Sequence, residues 1–415
     1  MRARAGVGAT AAVAAAAFLI PAGAGATTFK VTQTIDKAGA CDERCALREA
    51  VLAANATPAD DRIVLRAKRY ELSLPVENGV SSCNQGGEYG DLDICGSGGS
   101  VKLIGKGPAD TVIDANRIDR VLQIDGEASV PTAVVRLQGV ALTGGEVSGS
   151  GDEGGGLAID DGASARLIRS AVRGNRSVDD GGGIVVGSEL VMMKSTVLGN
   201  RTTDGGDGGG IANSGSGVLT IRDSTVSGNI AKAASGNDGD GGGLNNRGTA
   251  TIVNSTFSGN RASVDTSSQG GAIYTDGDLI LRNVTVAFNK AEDGGGVAAV
   301  DRVENLQTIE NSVLADNTEF SGDNSNCGGF IALVSLGHNL EKGTTCEFAG
   351  PGDINGKPKL GALTKNGGPT KTHALGARSD AINRGKNATC PNRDQRGVKR
   401  PQGPRCDIGA FERKP

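Results

Sequence analysis

Asp180-Gly-Gly-Gly-Ile-Val-Val-Gly-Ser-Glu-Leu-Val-Met-Met-Lys-Ser-Thr-Val-Leu-Gly-Asn200 is one unit of a pattern that recurs through the middle of this chain. The unit opens on an acidic residue and a glycine run, passes through apolar stretches and closes on an asparagine. The closing residue recurs at Asn175, Asn200, Asn229, Asn260, Asn289 and Asn317, with gaps of 25, 29, 31, 29 and 28 residues. Eight positions before each Asn stands Leu167, Met192, Ile221, Ile252, Leu281 or Ile309, and three positions before it Val172, Val197, Val226, Phe257, Val286 or Leu314. Six positions before it the residue is always polar or charged, from Arg169 and Lys194 to Asn311, and is expected to be exposed. The residue after each glycine run is apolar again. Self-similarity at this period marks a stacked-repeat architecture.

The unit cannot be helical. No stretch of it offers ten helix-forming residues, and a Gly triplet would cost a helix about 1 kcal/mol per glycine. A leucine-rich repeat needs more leucine and no glycine triplet, and the calcium-binding β-roll has a nine-residue period. Short β-branched segments between turns predict about three strands per coil. The expected fold is therefore all-β: a right-handed parallel β-helix solenoid of the pectin-lyase-like kind, with like positions stacked at roughly 4.8 Å. The Asn column then has a role at a tight corner. Asn tolerates left-handed backbone angles there, and stacked amides can bond one to the next.

Composition agrees. The chain has 67 glycines among 415 residues, no tryptophan and 3% aromatics, which suits a solenoid of many turns and stacked aliphatics. Arg2 and Arg4, the apolar run through Phe18-Leu19-Ile20 and the small residues ending at Ala26 read as a signal peptide over residues 1–26. Its apolar run is too short and Ala-rich for a stable span, and no other transmembrane segment is read, so the mature chain is expected to be exported. Removing Arg2 and Arg4 takes the formal charge from −4 to −6, which is not the balance of a nucleic-acid-binding protein. The eight cysteines fall in four local couples, Cys41/Cys45, Cys83/Cys95, Cys327/Cys346 and Cys390/Cys406, none of them in the regular repeat core between Asn175 and Asn317. In an exported chain these are expected as disulfides fastening irregular ends and loops, paired by proximity. A zinc site is the alternative, with neither a Cys-X-X-Cys nor more than two histidines in its favour.

Residues 27–74 form an N-terminal block with the first coil. In Cys45-Ala-Leu-Arg-Glu-Ala-Val-Leu-Ala-Ala-Asn55, Leu47, Val51 and Leu52 lie at helical spacing, a natural capping helix for an exposed solenoid end. The β-helix repeats are assigned to residues 75–356, interrupted by an acidic, Gly/Ser-rich excursion over 76–100. Residues 357–415 carry 14 Lys/Arg against four Asp/Glu and form a basic C-terminal cap region, while residues 144–300 carry 18 acids against 12 bases. The basic tail can dock against the rest of the chain or meet an anionic surface such as a cell-wall polymer.

The N-terminal block, with Asp36 ahead of Cys41 and then Cys45-Ala-Leu-Arg-Glu-Ala50, resembles the bacterial CSLREA domain, with Ala46 in place of Ser. The C-terminal block has Leu360-Gly-Ala-Leu-Thr-Lys-Asn-Gly-Gly-Pro-Thr370, Asp394-Gln-Arg-Gly-Val398, Arg400-Pro401 and Cys406-Asp-Ile-Gly-Ala-Phe-Glu412. It resembles the terminal region of exported, choice-of-anchor bacterial β-helix proteins. With the repeat between them, the resemblance covers nearly the whole mature chain. It implies a secreted or surface protein of a bacterium, akin to polymorphic outer-membrane proteins and adhesin-like passengers, and it brings no catalytic residues.

Chemistry in the repeats centres on the residue before each glycine run: Glu153, Asp180, Asp207, Asp240, Gln269 and Asp293. Like charges stacked at about 4.8 Å repel and need compensation. Either each carboxylate accepts hydrogen bonds from the following glycine amides, or Ca2+ is held by Asp180, Asp207, Asp240 and Asp293. No cofactor is otherwise required. The leading expectation is a non-catalytic surface or matrix protein, adhesin-like, binding an extracellular or cell-wall polysaccharide or a surface protein. The alternative is a polysaccharide lyase or hydrolase, which should show a cleft with non-repeating acids beside a Lys or Arg on one β face. If there is a site, it is expected where the ladder's regularity fails, near Cys83–Cys95 or in the tail beyond Asn317. His338 and His373 are isolated, and His373 reads as structural. Asn55, Asn254, Asn283 and Asn387 stand in Asn-X-Ser/Thr sequons, expected to go unused.

Overall fold

The computed structural model describes residues 25–76, 88–95, 99–126, 134–149, 151–160, 162–232, 234, 239–263, 267–300, 306–330 and 333–414. The signal-peptide reading, save its last two residues, and Cys83 lie outside them. Alternation of apolar and polar residues builds each strand, and the turn residues between strands close each coil. In one coil Glu189–Met193 belongs to the first sheet, Thr196–Leu198 to the second, and Ile211–Asn213 to the third. The first two sheets have 11 strands each and the third has nine. Successive coils pair in parallel and in register, as in Glu189↔Val218 through Met193↔Arg222. The expected parallel β-helix is therefore the observed fold.

Period-2 alternation puts one set of side chains inside. Met192, Ile221 and Ile252 stack from the first sheet, Val197, Val226 and Phe257 from the second, and Ile184, Ile211 and Leu244 from the third, all fully buried. Each such side chain contributes about 1.5–3 kcal/mol of burial. The N-terminal helix is Leu47–Asn55 and packs on this core through Leu47, Ala50, Val51 and Ala54. Its Glu49 accepts a hydrogen bond from the Ala46 amide at 2.8 Å, satisfying a free N–H of the first turn. Arg48 is fully buried, ion-paired to Asp36 at 2.8 Å and donating to the carbonyls of Gly90 and Asp91. The Leu47/Val51/Leu52 spacing gave no hint of that anchor.

The Asn column forms a buried ladder. Each side-chain amide donates to the next Asn oxygen, from Asn175 through Asn317, at 2.9–3.0 Å. Asn317 closes the ladder on Asn326 at 3.0 Å. The same oxygens accept the next backbone N–H, as from Asn200 to Asn229 at 3.0 Å. The left-handed angle, however, is not on the Asn. It falls on the residue before, as at Gly199 and Gly228 (both φ 63°), because the amide can reach the next coil only from a chain that has already turned. A second left-handed corner carries the polar column six residues before the Asn, from Arg169 (φ 47°) to Asn311 (φ 52°). That column is not uniformly exposed. Asn254, Asn283 and Asn311 are buried. Next to it runs a serine ladder the repeat reading passed over, with the amides of Ser170, Ser195 and Ser224 bonding the hydroxyls of Ser195, Ser224 and Ser255 at 3.1–3.2 Å.

What buries the late corners is the C-terminal region. It folds back along the outer face of the second sheet. Gln395 donates to Ser224 O and Thr225 Oγ1, Thr256 donates to Gln395 at 2.6 Å, and Thr285 accepts from the Ala410 amide. His373 bonds Ser258 at 2.9 Å and Gly361 O at 2.7 Å, so it is a buried strut. Val313, Ala315 and Leu340 of that face form a second small core with Leu375, Ala381, Ile408 and Phe411. The C-terminal cap thus covers a flank of the solenoid. Its motif residues hold one another, with Arg400 paired to Glu412 at 3.3 Å and Arg396 stacked 3.5 Å over Phe411.

Three of the expected disulfides, Cys41–Cys45, Cys327–Cys346 and Cys390–Cys406, are present. Cys95 is also disulfide-bonded, and its expected partner Cys83 lies outside the described residues. The sequon amides are engaged, Asn55 with Asp93 O, Asn254 with Arg393 O, Asn283 weakly with Gly409 O, and Asn387 with Pro404 O. No helix among the described residues is long and apolar enough to cross a membrane. The ladder's weight is open to measurement. Asn229→Ala strands the Asn200 amides and the Val197 carbonyl in the core, and at 1–3 kcal/mol per orphaned group it should cost on the order of 3 kcal/mol, read as a lowered urea midpoint at unchanged slope.

Candidate functional site

The third sheet supplies the site because its outward column changes character along the axis. Register puts Asp93, Gln123, Ala158, Val185, Ala212, Asn245 and Tyr274 in one outward row. On one side lie the glycine corners with their acidic residues. On the other lie the residues that follow each strand: Asp160, Gly187, Ser214, Arg247 and Asp276. The two sides make walls, and the outward row makes a floor. Small floor residues and glycine corners let the walls stand close to the sheet. Gly208 shows why glycine is required, since at φ 62° a Cβ would lie 2.3 Å from the Ile211 carbonyl oxygen.

Around the start of the Asn ladder this track opens into a groove of about 890 Å3 that runs from Asp119 to Ser214. Its floor includes Gln123, Ala158 and Val185, and its walls carry Asp119, Arg120, Asp152, Glu153 and Asp160. A hydrogen-bonded relay ties it together. Arg120 Nη1 pairs with Asp91 at 3.3 Å and donates to Gln123 Oε1 at 2.6 Å, and Gln123 Nε2 donates to Asp160 at 2.5 Å. Arg120 Nε donates to the Glu153 carbonyl at 3.1 Å. At the rim, Glu146 takes Arg117 at 2.6 Å and Arg176 at 3.5 Å.

Burial and crowding of like charges set the protonation of the acids. Burial, with Asp180 and Asp179 nearby, pushes Glu153 up to about 7. Burial, with Asp91 beside it, pushes Asp93 up to about 8. Neither Asp93 oxygen has a hydrogen-bond partner among the described residues. Burial raises Asp119 as well, and burial with Asp180 alongside brings Asp207 to about 6. The groove therefore holds, in Glu153, a carboxyl that can donate a hydrogen bond near neutral pH beside others that accept, such as Asp160, a set suited to hydroxyl-rich ligands.

The acidic column does stack, but its compensation differs from the expected glycine amides. Asp180, Asp207 and Asp240 each accept the backbone N–H of the next column residue, Asp207, Asp240 and Gln269, at 2.6–2.7 Å. Asp293 accepts from the Gly329 amide at 2.8 Å. The remaining oxygens of Asp180 and Asp207 face Arg247 at 3.3 and 2.6 Å. Calcium takes six to eight oxygens, and in this column Asp180 and Asp207 already face a guanidinium. Among the described residues no group of three or more His, Cys, Asp or Glu is arranged to hold a metal ion.

Of the sequence-derived candidates, only Glu153 lies in the groove. Asp119, Arg120, Gln123, Asp160 and Arg247 were not singled out. The only signal for the first four was their place in irregular coils beside the Cys83–Cys95 excursion, where a site was expected. Arg247 stands where neighbouring coils have Ser214 and Asp276, and a single non-repeating cation in a turn column could have drawn notice. The raised Glu153 group has a measurable signature. With its folded value above the unfolded one, the folded state binds the extra proton between about pH 4.5 and 7, so its contribution to stability declines as pH rises through that window. Glu153→Gln should be more stable than the parent at pH 8, with the gap closing toward pH 4, as followed by thermal unfolding across pH.

No family model matches the sequence, and no curated protein matches it. Among solved structures, the crystal structure of pectate lyase Pel9A aligns over 94% of this chain and 96% of that one, with a TM-score of 0.49 and 14% identity.

Proposed function

We propose that this chain is an exported β-helix protein that binds a glycan in the third-sheet groove and works as a non-catalytic surface or matrix component. The observation that carries this is the groove itself, whose polar, non-repeating lining breaks the regularity of the outward row. Disulfides in the irregular parts of the chain support an extracellular setting. Asp119, Asp152, Glu153 and Asp160 outnumber Arg120, whose charge is already paired with Asp91. Such a lining favours a neutral or amine-bearing glycan over a polyanion.

A second reading, a glycan hydrolase, is favoured by two features, the first being that non-repeating acids stand beside Arg120 on one β face, as expected of an enzyme cleft. The second is Glu153, which sits in the groove with its carboxyl raised to about 7, the range of a general acid. Calcium is a third element to test, as a bridge to polyanions.

One panel separates these readings. Neutral, amine-bearing and anionic polysaccharides are incubated with the mature chain, and both retention and new chain ends are measured. The binding reading expects retention of neutral or amine-bearing chains without new reducing or unsaturated ends, and about a tenfold loss of affinity in Gln123→Ala, the worth of one or two hydrogen bonds. Reducing ends that disappear in Glu153→Gln would make it an enzyme. Affinity for pectate or alginate that EDTA abolishes, with an unfolding midpoint raised by millimolar Ca2+, would install calcium; neither is expected.

A further inference from the structure

The groove ends abruptly, although the track that forms it does not. Floor and walls continue past Val185 to Ala212, Asn245 and Tyr274. The groove's lining stops at Val185, Gly187 and Ser214. Arg247 is the next residue after Ser214 in the wall that follows the third-sheet strands, and its amide donates to Asn213 O at 2.9 Å. Its guanidinium belongs to the opposite wall. Nη2 meets Asp207 at 2.6 Å, in the coil before, and Nη1 meets Asp180 at 3.3 Å, two coils back. The side chain thus spans the track diagonally, over the place where the groove closes.

We infer that Arg247 is a strap that sets the length of the groove, so that the site accepts a short oligosaccharide or a chain end, and that releasing the strap joins the groove to a second stretch of track reaching Tyr274. The glycan part of this inference rests on the reading of the groove given above. The strap is held by few contacts, since Arg247 is 46% exposed and both carboxylates remain partly exposed. Exposed ion pairs are weak, so a ligand can displace them. Beyond the strap the lining changes. Tyr274 is half-buried beside Asp240 and Asp276, an aromatic face of the kind sugars stack on, and Asn245 lies buried in the row before it. Arg247 is therefore a positioning residue that divides one continuous surface into two subsites.

Two measurements on the full mature chain test this. The first needs no ligand. Carbodiimide-driven coupling of an amine to Asp180 and Asp207, followed by mass spectrometry, should run about fivefold faster in Arg247→Ala than in the parent, matching the release of two half-exposed ion pairs. Coupling at the exposed Asp152 should be unchanged, and Arg247→Lys, which can keep one contact only, should fall between. The second is a length series of the oligosaccharide retained in the panel. Affinity in the parent should level off at a short length, while Arg247→Ala should go on gaining with longer chains. Equal coupling rates in parent and variant, or the same plateau length in both, overturns the strap. If no oligosaccharide binds either protein, the glycan reading falls, and the coupling rates still decide whether Arg247 covers the track.

Discussion

The Asn corners of this molecule are each satisfied by the coil after them. The Asn oxygen accepts a backbone N–H and an amide N–H from the preceding coil, and the Asn amide repays a carbonyl in the coil before. A buried corner cannot leave such groups unpaired without losing 1–3 kcal/mol each. No coil is therefore complete alone, and stability accrues between neighbours, as in other repeat proteins. The serine ladder and the carboxylate column repeat the same arrangement at two more corners, in each case pairing a side-chain oxygen with the amide of an adjacent coil.

That constraint explains where the chain has freedom. A corner occupied by a ladder has no groups left over for a ligand. The groove reaches from the coils before Asn175 to the first coils of the ladder, and its richest wall is the corner of Asp119 and Arg120, which lies ahead of the ladder. There the polar groups compensate one another through side chains, and carboxyls such as Asp93 and Glu153 are driven toward protonation instead of being paired. The regular coils supply a rigid base, and chemistry is confined to the irregular ones.

The columns were legible in the sequence because each is a position repeated many times. Apolar slots, glycine corners and the Asn ladder all follow from period and residue type. Apart from the serine ladder, what stayed hidden depends on pairs formed once. Arg48 is a cation inside a capping helix whose apolar spacing looked sufficient. Thr225, Thr256 and Thr285 looked like ordinary strand residues, yet they receive the C-terminal region, whose basic composition pointed as well to an external anion as to docking. Arg247 acts 67 residues away, on Asp180. The left-handed angle was placed on Asn because that residue tolerates it, although glycine tolerates it better and stood next to it.

The docked flank also fixes an order of events during folding. Gln395 reaches Ser224 across 171 residues, so its partner surface must exist before the last segment can settle. The solenoid can grow coil by coil from its N-terminal helix, each turn templating the next, but the hydroxyl row of the second sheet stays bare until the final sixty or so residues have emerged. A chain halted short of its end would keep most of its interior and lose only this cover. The tail thus seals a surface that the solenoid lays down first, and a bare hydroxyl row would mark a molecule on which that segment has not yet docked.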